Sequence, residues 1–319
     1  MNAGSDSSAP HYRGRFAPSP TGPLHFGSLV AAIASCCDAR ASGGQWLVRI
    51  EDVDLPRSRP GAQSSILATL ERYGFAWDGE VASQSGRTAH YASAIEQLRA
   101  RGHVYECACA RRELETAPLA ANGERVYPGT CRDGIPPNRI GNPQRAWRVR
   151  VGNERIAYRD RLQGVQAQDL ARDVGDFVVR RADGLHAYQL AVVVDDALQN
   201  VTHVVRGADL MASTPRQILL QRLLGLPEPS YLHTPIAINA AGEKLSKQTH
   251  ATALPDDPLP ALGAAWRFLD QPRPESSRFP ASVAEFWSWA ISAWSPARLP
   301  PTAMLPAPAR FEGAASGKV

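Results

Sequence analysis

No apolar run approaches the roughly 18 residues that cross a bilayer, so the chain predicts no membrane-spanning helix and no membrane partner. Residues 1–12 are polar and lack the apolar centre of a secretory signal, so they read as a disordered tail. Cysteine is scarce. Five residues, an odd number, argue against a disulfide scaffold and for a reducing, cytoplasmic setting. No internal repeat is present. Charge of one sign is not in strong excess: a formal +4 and a sequence pI near 8.9 are compatible with a polyanionic partner without identifying one. The arginines are spread through the chain and form no tail. What remains is 319 residues with 44% hydrophobic content, enough for a core and two or three structural units.

Two short motifs stand out. Near the start is Pro18-Ser-Pro-Thr-Gly22-Pro-Leu-His25-Phe-Gly27-Ser28, ahead of Leu29, Ile33 and Cys36 or Cys37 at helical spacing. Ser28 predicts the N-cap of that helix. A helix N-terminus offers unpaired N–H groups and a positive dipole end to phosphate. Gly27 lets a nucleotide approach closely, and His25 can donate to a phosphate oxygen. Far downstream, after a candidate strand at 236–239 and a turn, comes Lys244-Leu-Ser246-Lys247-Gln248. Lysine ammonium groups suit negative charge developing on a phosphoryl group. Alone, the first motif reads equally well as a capped core helix and the second as solvated surface. Their coexistence favours phosphate chemistry.

Between them, residues 13–102 alternate strand-like and helix-like segments: a buried strand at 45–50, then helical stripes at 64–73 and through Tyr91, Ile95 and Leu98. That alternation predicts a parallel sheet of the nucleotide-binding kind. Residues 103–185 break the rhythm with cysteines, prolines and glycines around two candidate strands, 146–151 and 177–181, and read as an inserted small domain. Buried-strand character returns at 191–194 and 201–206, and 214–224 predicts a helix stopped by Gly225 and Pro227. Short helical patterns follow at 261–269 and 283–294.

The Pro18–Ser28 motif, with His25-Phe-Gly27, and the Lys244–Gln248 element resemble the HIGH and KMSKS elements of class I aminoacyl-tRNA synthetases, and the opening Gly14-Arg-Phe-Ala-Pro-Ser-Pro-Thr-Gly22 resembles their glutamyl and glutaminyl branch. So do Val48-Arg-Ile-Glu51-Asp-Val-Asp54, Val193-Val-Asp195-Asp196 and Val205-Arg206-Gly-Ala-Asp209-Leu. The resemblance runs from about Arg13 to Leu254, most of the chain. It implies an α/β fold: a Rossmann-type catalytic domain in two halves (13–102 and 186–250), an inserted zinc- and acceptor-binding domain (103–185) and a short helical segment (251–319). That last segment is too short for an anticodon-reading domain of the usual size.

The resemblance also implies site residues. A glutamate pocket needs a cation for carboxylate and an acceptor for the amine, and arginine gives bidentate recognition that lysine cannot. Arg15, Ala17, Ser19, Glu51, Tyr188 and Arg206 match the family's glutamate-binding positions. His25, Gly27, Ser28, Ser246 and Lys247 match its ATP positions, with His25, Lys244 and Lys247 as catalytic groups and Mg²⁺ arriving with the nucleotide. Glu51 and Arg206 could instead form structural ion pairs. Asp195 and Asp196, after an apolar run, read as metal ligands or strand-end hydrogen-bonding groups and stay unassigned. Cys107, Cys109 and Cys131 can supply three vertices of a tetrahedral zinc site. Spacing leaves the fourth open between Tyr127, His103 and water, and the resemblance selects Tyr127, whose phenol a zinc ion would acidify. Cys36 and Cys37 predict core packing.

The expected activity is ATP-dependent formation of glutamyl-adenylate, then transfer of glutamate to tRNA by a monomer. Within the branch, the match is to a truncated form whose acceptor is queuosine at the wobble position of tRNA(Asp). The alternatives are a minimal enzyme charging the tRNA 3′ end and a catalytically dead tRNA-binding paralogue. Intact His25, Gly27, Lys244 and Lys247 argue against the latter.

Overall fold

A computed structural model describes residues 11–120, 123, 125–245, 251–274 and 279–312. The first part holds β1 (Arg13–Phe16), α1 (Phe26–Ala41), β2 (Gln45–Ile50), α2 (Ala62–Arg72), β3 (Ala82–Ser83) and α3 (Thr88–Ala100). Next come β4 (Val104–Cys107), α4 (Arg111–Leu114), β5 (Ala146–Val149), β6 (Arg155–Asp160), β7 (Gly164–Asp169), α5 (Leu170–Asp173) and β8 (Val178–Arg180). The remainder is α6 (Tyr188–Leu198), β9 (His203–Gly207), α7 (Thr214–Leu224), β10 (Ser230–Thr234), β11 (Ile236–Ile238), α8 (Pro258–Phe268), α9 (Val283–Ala293) and β12 (Met304–Pro306).

Strands β1, β2 and β3 pair in parallel, as do β9 and β10. The two sets meet where the Thr202 N–H donates to the Arg13 carbonyl (2.9 Å). Read across, the order is β3-β2-β1, then β9-β10-β6-β7, with the β6–β7 hairpin antiparallel. The chain therefore leaves β1 towards one side and returns to its other side, which makes a topological switch point between β1 and β9. The crevice beyond the carboxyl ends of strands at such a point is where open α/β sheets bind ligands. A separate antiparallel sheet, β4-β5-β8, carries the cysteine-bearing region.

One core packs α1 between the first sheet and helices α8 and α9, with Phe26, Trp46, Trp266 and Phe286 almost wholly buried. Trp266 meets Phe286 edge-on at 5.9 Å. A second core joins α3, α6 and α7 through Tyr91, Leu98, Leu190, Val193 and Ile218. No helix among the described residues is long and apolar enough to cross a membrane.

Two expectations need correction. The run at 191–194 is not a strand; it lies in α6, where every residue from Leu190 to Asp196 is buried. A short unbroken apolar run fits a buried strand and an all-round buried helix equally. Helix α1 starts three residues earlier than expected: its N-cap is His25, extended at φ −122° and ψ 175°, and Ser28 lies inside the first turn. The His25 carbonyl already accepts from Leu29 N (3.0 Å), and Phe26, fully buried, anchors the turn. Helix α7 ends as expected at Gly225, left-handed at φ 69°.

Candidate active site and cysteine cluster

A cavity of about 830 Å³ opens at the switch point. Arg15, Ala17, Ser19, His25, Gly27, Ser28, Glu51, Tyr188, Arg206 and Lys244 all line it, so residues scattered over the sequence converge. Ser246 and Lys247 lie outside the described residues.

One wall is a buried charge network. Arg15 on β1 donates to Asp196 from Nε (3.3 Å) and Nη2 (3.5 Å). Arg49 on β2, fully buried, donates from Nη1 to Asp196 (2.7 Å) and Gln199 (2.8 Å), and from Nη2 to Glu51 (3.2 Å). Asp195 takes hydrogen bonds from Gln84 (2.9 Å), Tyr91 (2.8 Å) and Arg87 (3.1 Å). The acidic pair on α6 therefore fixes two guanidinium groups beside the cavity. Burial raises the Asp196 carboxyl, but Arg15 and Arg49 outweigh it and hold the group below its ordinary range. For Glu51 burial wins over Arg49 and Arg15, and its carboxyl is pushed up. Burial, with Glu51 nearby, also raises the Tyr188 phenol.

The opposite wall carries Arg206 at the end of β9, buried against Thr214, Gln217 and His233. At the far end lies the N-terminus of α1. A Cβ on Gly27 would stand 3.2 Å from the His25 ring and 3.7 Å from the Leu245 carbonyl, so glycine lets that ring fold over the first turn. Lys244 forms an ion pair with Asp209. Gly207 makes room for it, since a Cβ there would come within 2.5 Å of the Asp209 carboxylate.

Asp160 and His233 were not singled out from the sequence, because they meet across 73 residues. Arg49 and Asp209 stood inside the resembling motifs without a role, and Asp195 and Asp196 stayed unassigned because most of their partners lie far away in the chain.

Cys107, Cys109 and Cys131 bring their sulfurs within 4.8 Å of one another. Cys109 and Cys131 are 3.7 Å apart, and the Tyr127 hydroxyl lies 3.3 Å from Cys107 and 3.6 Å from Cys109. A tetrahedral zinc with Zn–S of about 2.3 Å requires sulfur separations of about 3.8 Å, so the donor set fits such an ion. His103 is not in the group. Positive charge already faces the donors: Arg139 donates to the Cys109 sulfur (2.8 Å), and Arg148 lies 3.8 Å over the Tyr127 ring. Cys36 and Cys37 are buried in α1, where burial raises both thiols.

This cavity at the switch point, with a helix N-terminus at one end and paired arginines at the other, belongs to a recognised class. Residues 11–263 match the family described as tRNA synthetases class I (E and Q), catalytic domain, and the chain belongs to that family. The chain is 57% identical to the Glutamyl-Q tRNA(Asp) synthetase of Aromatoleum aromaticum, over 97% of each chain. It is 55% identical to the protein of that name from Thiobacillus denitrificans, over 92% of this chain and 98% of the other. Among solved structures, a glutamate tRNA ligase from Elizabethkingia meningosepticum, in complex with its amino acid, superposes with a TM-score of 0.74. At 23% identity, over 93% of this chain and 67% of the other, that likeness shows the shared α/β fold.

Proposed function

We propose that this protein activates L-glutamate with ATP and transfers it to queuosine at the wobble position of tRNA(Asp). The observation that carries this reading is 57% identity, over 97% of both chains, to a relative named Glutamyl-Q tRNA(Asp) synthetase. Charging of a tRNA 3′ end is less well supported, because the similar relatives share the glutamyl-Q name.

In the first step a glutamate carboxylate oxygen attacks the α-phosphorus of ATP, forming glutamyl-adenylate and expelling pyrophosphate. In the second, a hydroxyl of the queuosine ring attacks the acyl carbon, forming an ester and releasing AMP. The protein's contribution is placement and charge. Arg15 and Arg206 take the carboxylates, and Glu51 takes the ammonium group, with Ala17, Ser19 and Tyr188 shaping the pocket. One Glu51 oxygen is already engaged by Arg49, which fixes the carboxylate for its ligand. His25, Gly27, Ser28 and the N-terminus of α1 receive the phosphates of Mg·ATP. Ser246, Lys247 and Lys244 offset charge on the departing pyrophosphate; Lys244 is held at the cavity rim by Asp209.

Cys107, Cys109, Tyr127 and Cys131 would hold one zinc ion. When bound, zinc is structural: it ties together a region whose small core is otherwise Tyr105 and these same residues.

Glutamate-dependent exchange of labelled pyrophosphate into ATP, with Mg²⁺ and no tRNA, tests the activation half. Exchange is expected without tRNA. Strict dependence on tRNA would contradict the reading, since Arg15, His25, Gly27, Glu51, Arg206 and Lys244 line one cavity without tRNA.

A further inference from the structure

Arg206 spends most of its hydrogen-bonding capacity on the protein. Its Nε–H donates to His233 Nε2 at 3.0 Å, and Nη2 donates to Thr214 Oγ1 and Gln217 Oε1, each at 2.8 Å. The guanidinium also lies 5.5 Å over the Tyr231 ring. Nη1 alone is left, buried and without a hydrogen-bond partner among the described residues. A buried, unsatisfied guanidinium nitrogen is costly unless a ligand completes it. Arg206 lines the cavity, and of its three nitrogens only Nη1 remains for a substrate carboxylate.

The direction of Nη1 is set from behind. A guanidinium N–H can donate only to a lone pair, so His233 Nε2 must be unprotonated and the ring proton must sit on Nδ1. Nδ1 lies 2.6 Å from Asp160 Oδ2, which accepts that proton's hydrogen bond. Asp160 is itself immobilised: Oδ1 accepts from the backbone N–H groups of Leu162 (2.9 Å), Gln163 (2.8 Å) and His233 (3.3 Å). His233 is fully buried and Asp160 nearly so. Burial keeps the imidazole neutral, pushing it down to about 4. The three residues come from β6, β10 and β9, adjacent strands of one sheet, so the line Asp160–His233–Arg206 runs across the sheet into the cavity.

We propose that His233 and Asp160 are positioning residues for glutamate: Asp160 selects the Nδ1–H tautomer of His233, and His233 turns the Nη1 edge of Arg206 to the substrate carboxylate. This rests on the reading of Arg206 as a glutamate ligand. It also ties the β6–β7 hairpin to the amino acid pocket, because Asp160 is the last residue of β6.

The test is glutamate-dependent pyrophosphate exchange with the full-length protein, measuring KM for glutamate and for ATP separately. His233→Leu removes the acceptor for Arg206, and a hydrogen bond to a charged group corresponds to about ten- to a hundredfold. The expected result is a glutamate KM raised by that factor with ATP KM within about twofold. His233→Gln, which restores an acceptor near Nε2, is expected to recover most of the loss. If His233→Leu fails to fold, Asp160→Asn serves instead, with ¹⁵N-histidine spectra: the wild type should show His233 as the neutral Nδ1–H tautomer, and the variant should lose that signature as glutamate KM rises. Equal rises in both KM values, or an unchanged glutamate KM in a folded variant, would overturn the proposal. Arg206→Lys in parallel separates the failures. If it leaves glutamate KM unchanged, the reading of Arg206 itself is wrong. If it raises KM while the folded His233 variant does not, only the positioning role is wrong.

Discussion

Replacing Asp196 by asparagine removes one negative charge from a buried ionic network. Its side chain is 6% exposed and accepts from Arg15 and Arg49, whose side chains are 4% and 0% exposed. Asparagine keeps the shape but turns an amide towards two guanidinium groups, leaving them only Glu51 and Asp195 as anionic neighbours. Breaking a buried pair by deleting one partner costs about 3–5 kcal/mol, a large share of the roughly 5–15 kcal/mol that holds a domain together. The exposed pair Arg99–Glu96, 59% and 64% accessible, is the comparison: Glu96→Gln should cost under about 0.5 kcal/mol. Urea unfolding followed by circular dichroism measures both as shifts of the midpoint at unchanged slope. Because Asp196 also holds Arg15 at the cavity wall, its variant should raise glutamate KM, and Glu96→Gln should not. A loss below about 1 kcal/mol for Asp196→Asn would refute the view that α6 anchors these arginines by charge.

Lys247→Ala should slow glutamate activation by about 10²–10³, the scale for one transition-state charge stabiliser; a near-normal exchange rate would remove Lys247 from the mechanism. Protein purified without added metal should contain one zinc per chain, and Cys109→Ser should lose it; plasma emission analysis finding little metal, with a fold that survives chelation, would refute the structural role. Stability should fall with acidity between pH 6.5 and about 4, because there the unfolded His233 takes up a proton that the buried native imidazole, pushed down from 6.5 to about 4, refuses. Its share reaches about 3 kcal/mol at the lower limit. Burial shifts His186 and His203 downward as well, so the measurement is the difference from His233→Gln, whose pH slope should be shallower.

The parts of this fold legible from sequence are those with local causes. Strand β2 was readable over 45–50 from its apolar run, and α7 over 214–224 from its periodicity and the Gly225 stop. The cavity residues near the two motifs were readable by resemblance, and Arg15, Glu51, Tyr188 and Arg206 do share one cavity. What failed had no local cause. The run at 191–194 carries no period that separates a strand from a helix buried on all sides. Asp195 and Asp196 gain meaning from Arg15, Arg49, Gln84, Arg87 and Tyr91, which approach from other elements. Likewise, no sequence rule pairs Asp160 with His233 across adjacent strands 73 residues apart.

The central claim is the acceptor, and labelling tests it most directly. The protein is incubated with ATP, Mg²⁺, labelled glutamate and tRNA(Asp) with or without queuosine, and the labelled nucleotide is then mapped. The account predicts an alkali-labile ester on queuosine in the anticodon loop, no label on tRNA lacking that base, and loss of labelling after periodate cleaves its diol. Efficient labelling of the 3′ end of unmodified tRNA(Glu) would contradict it.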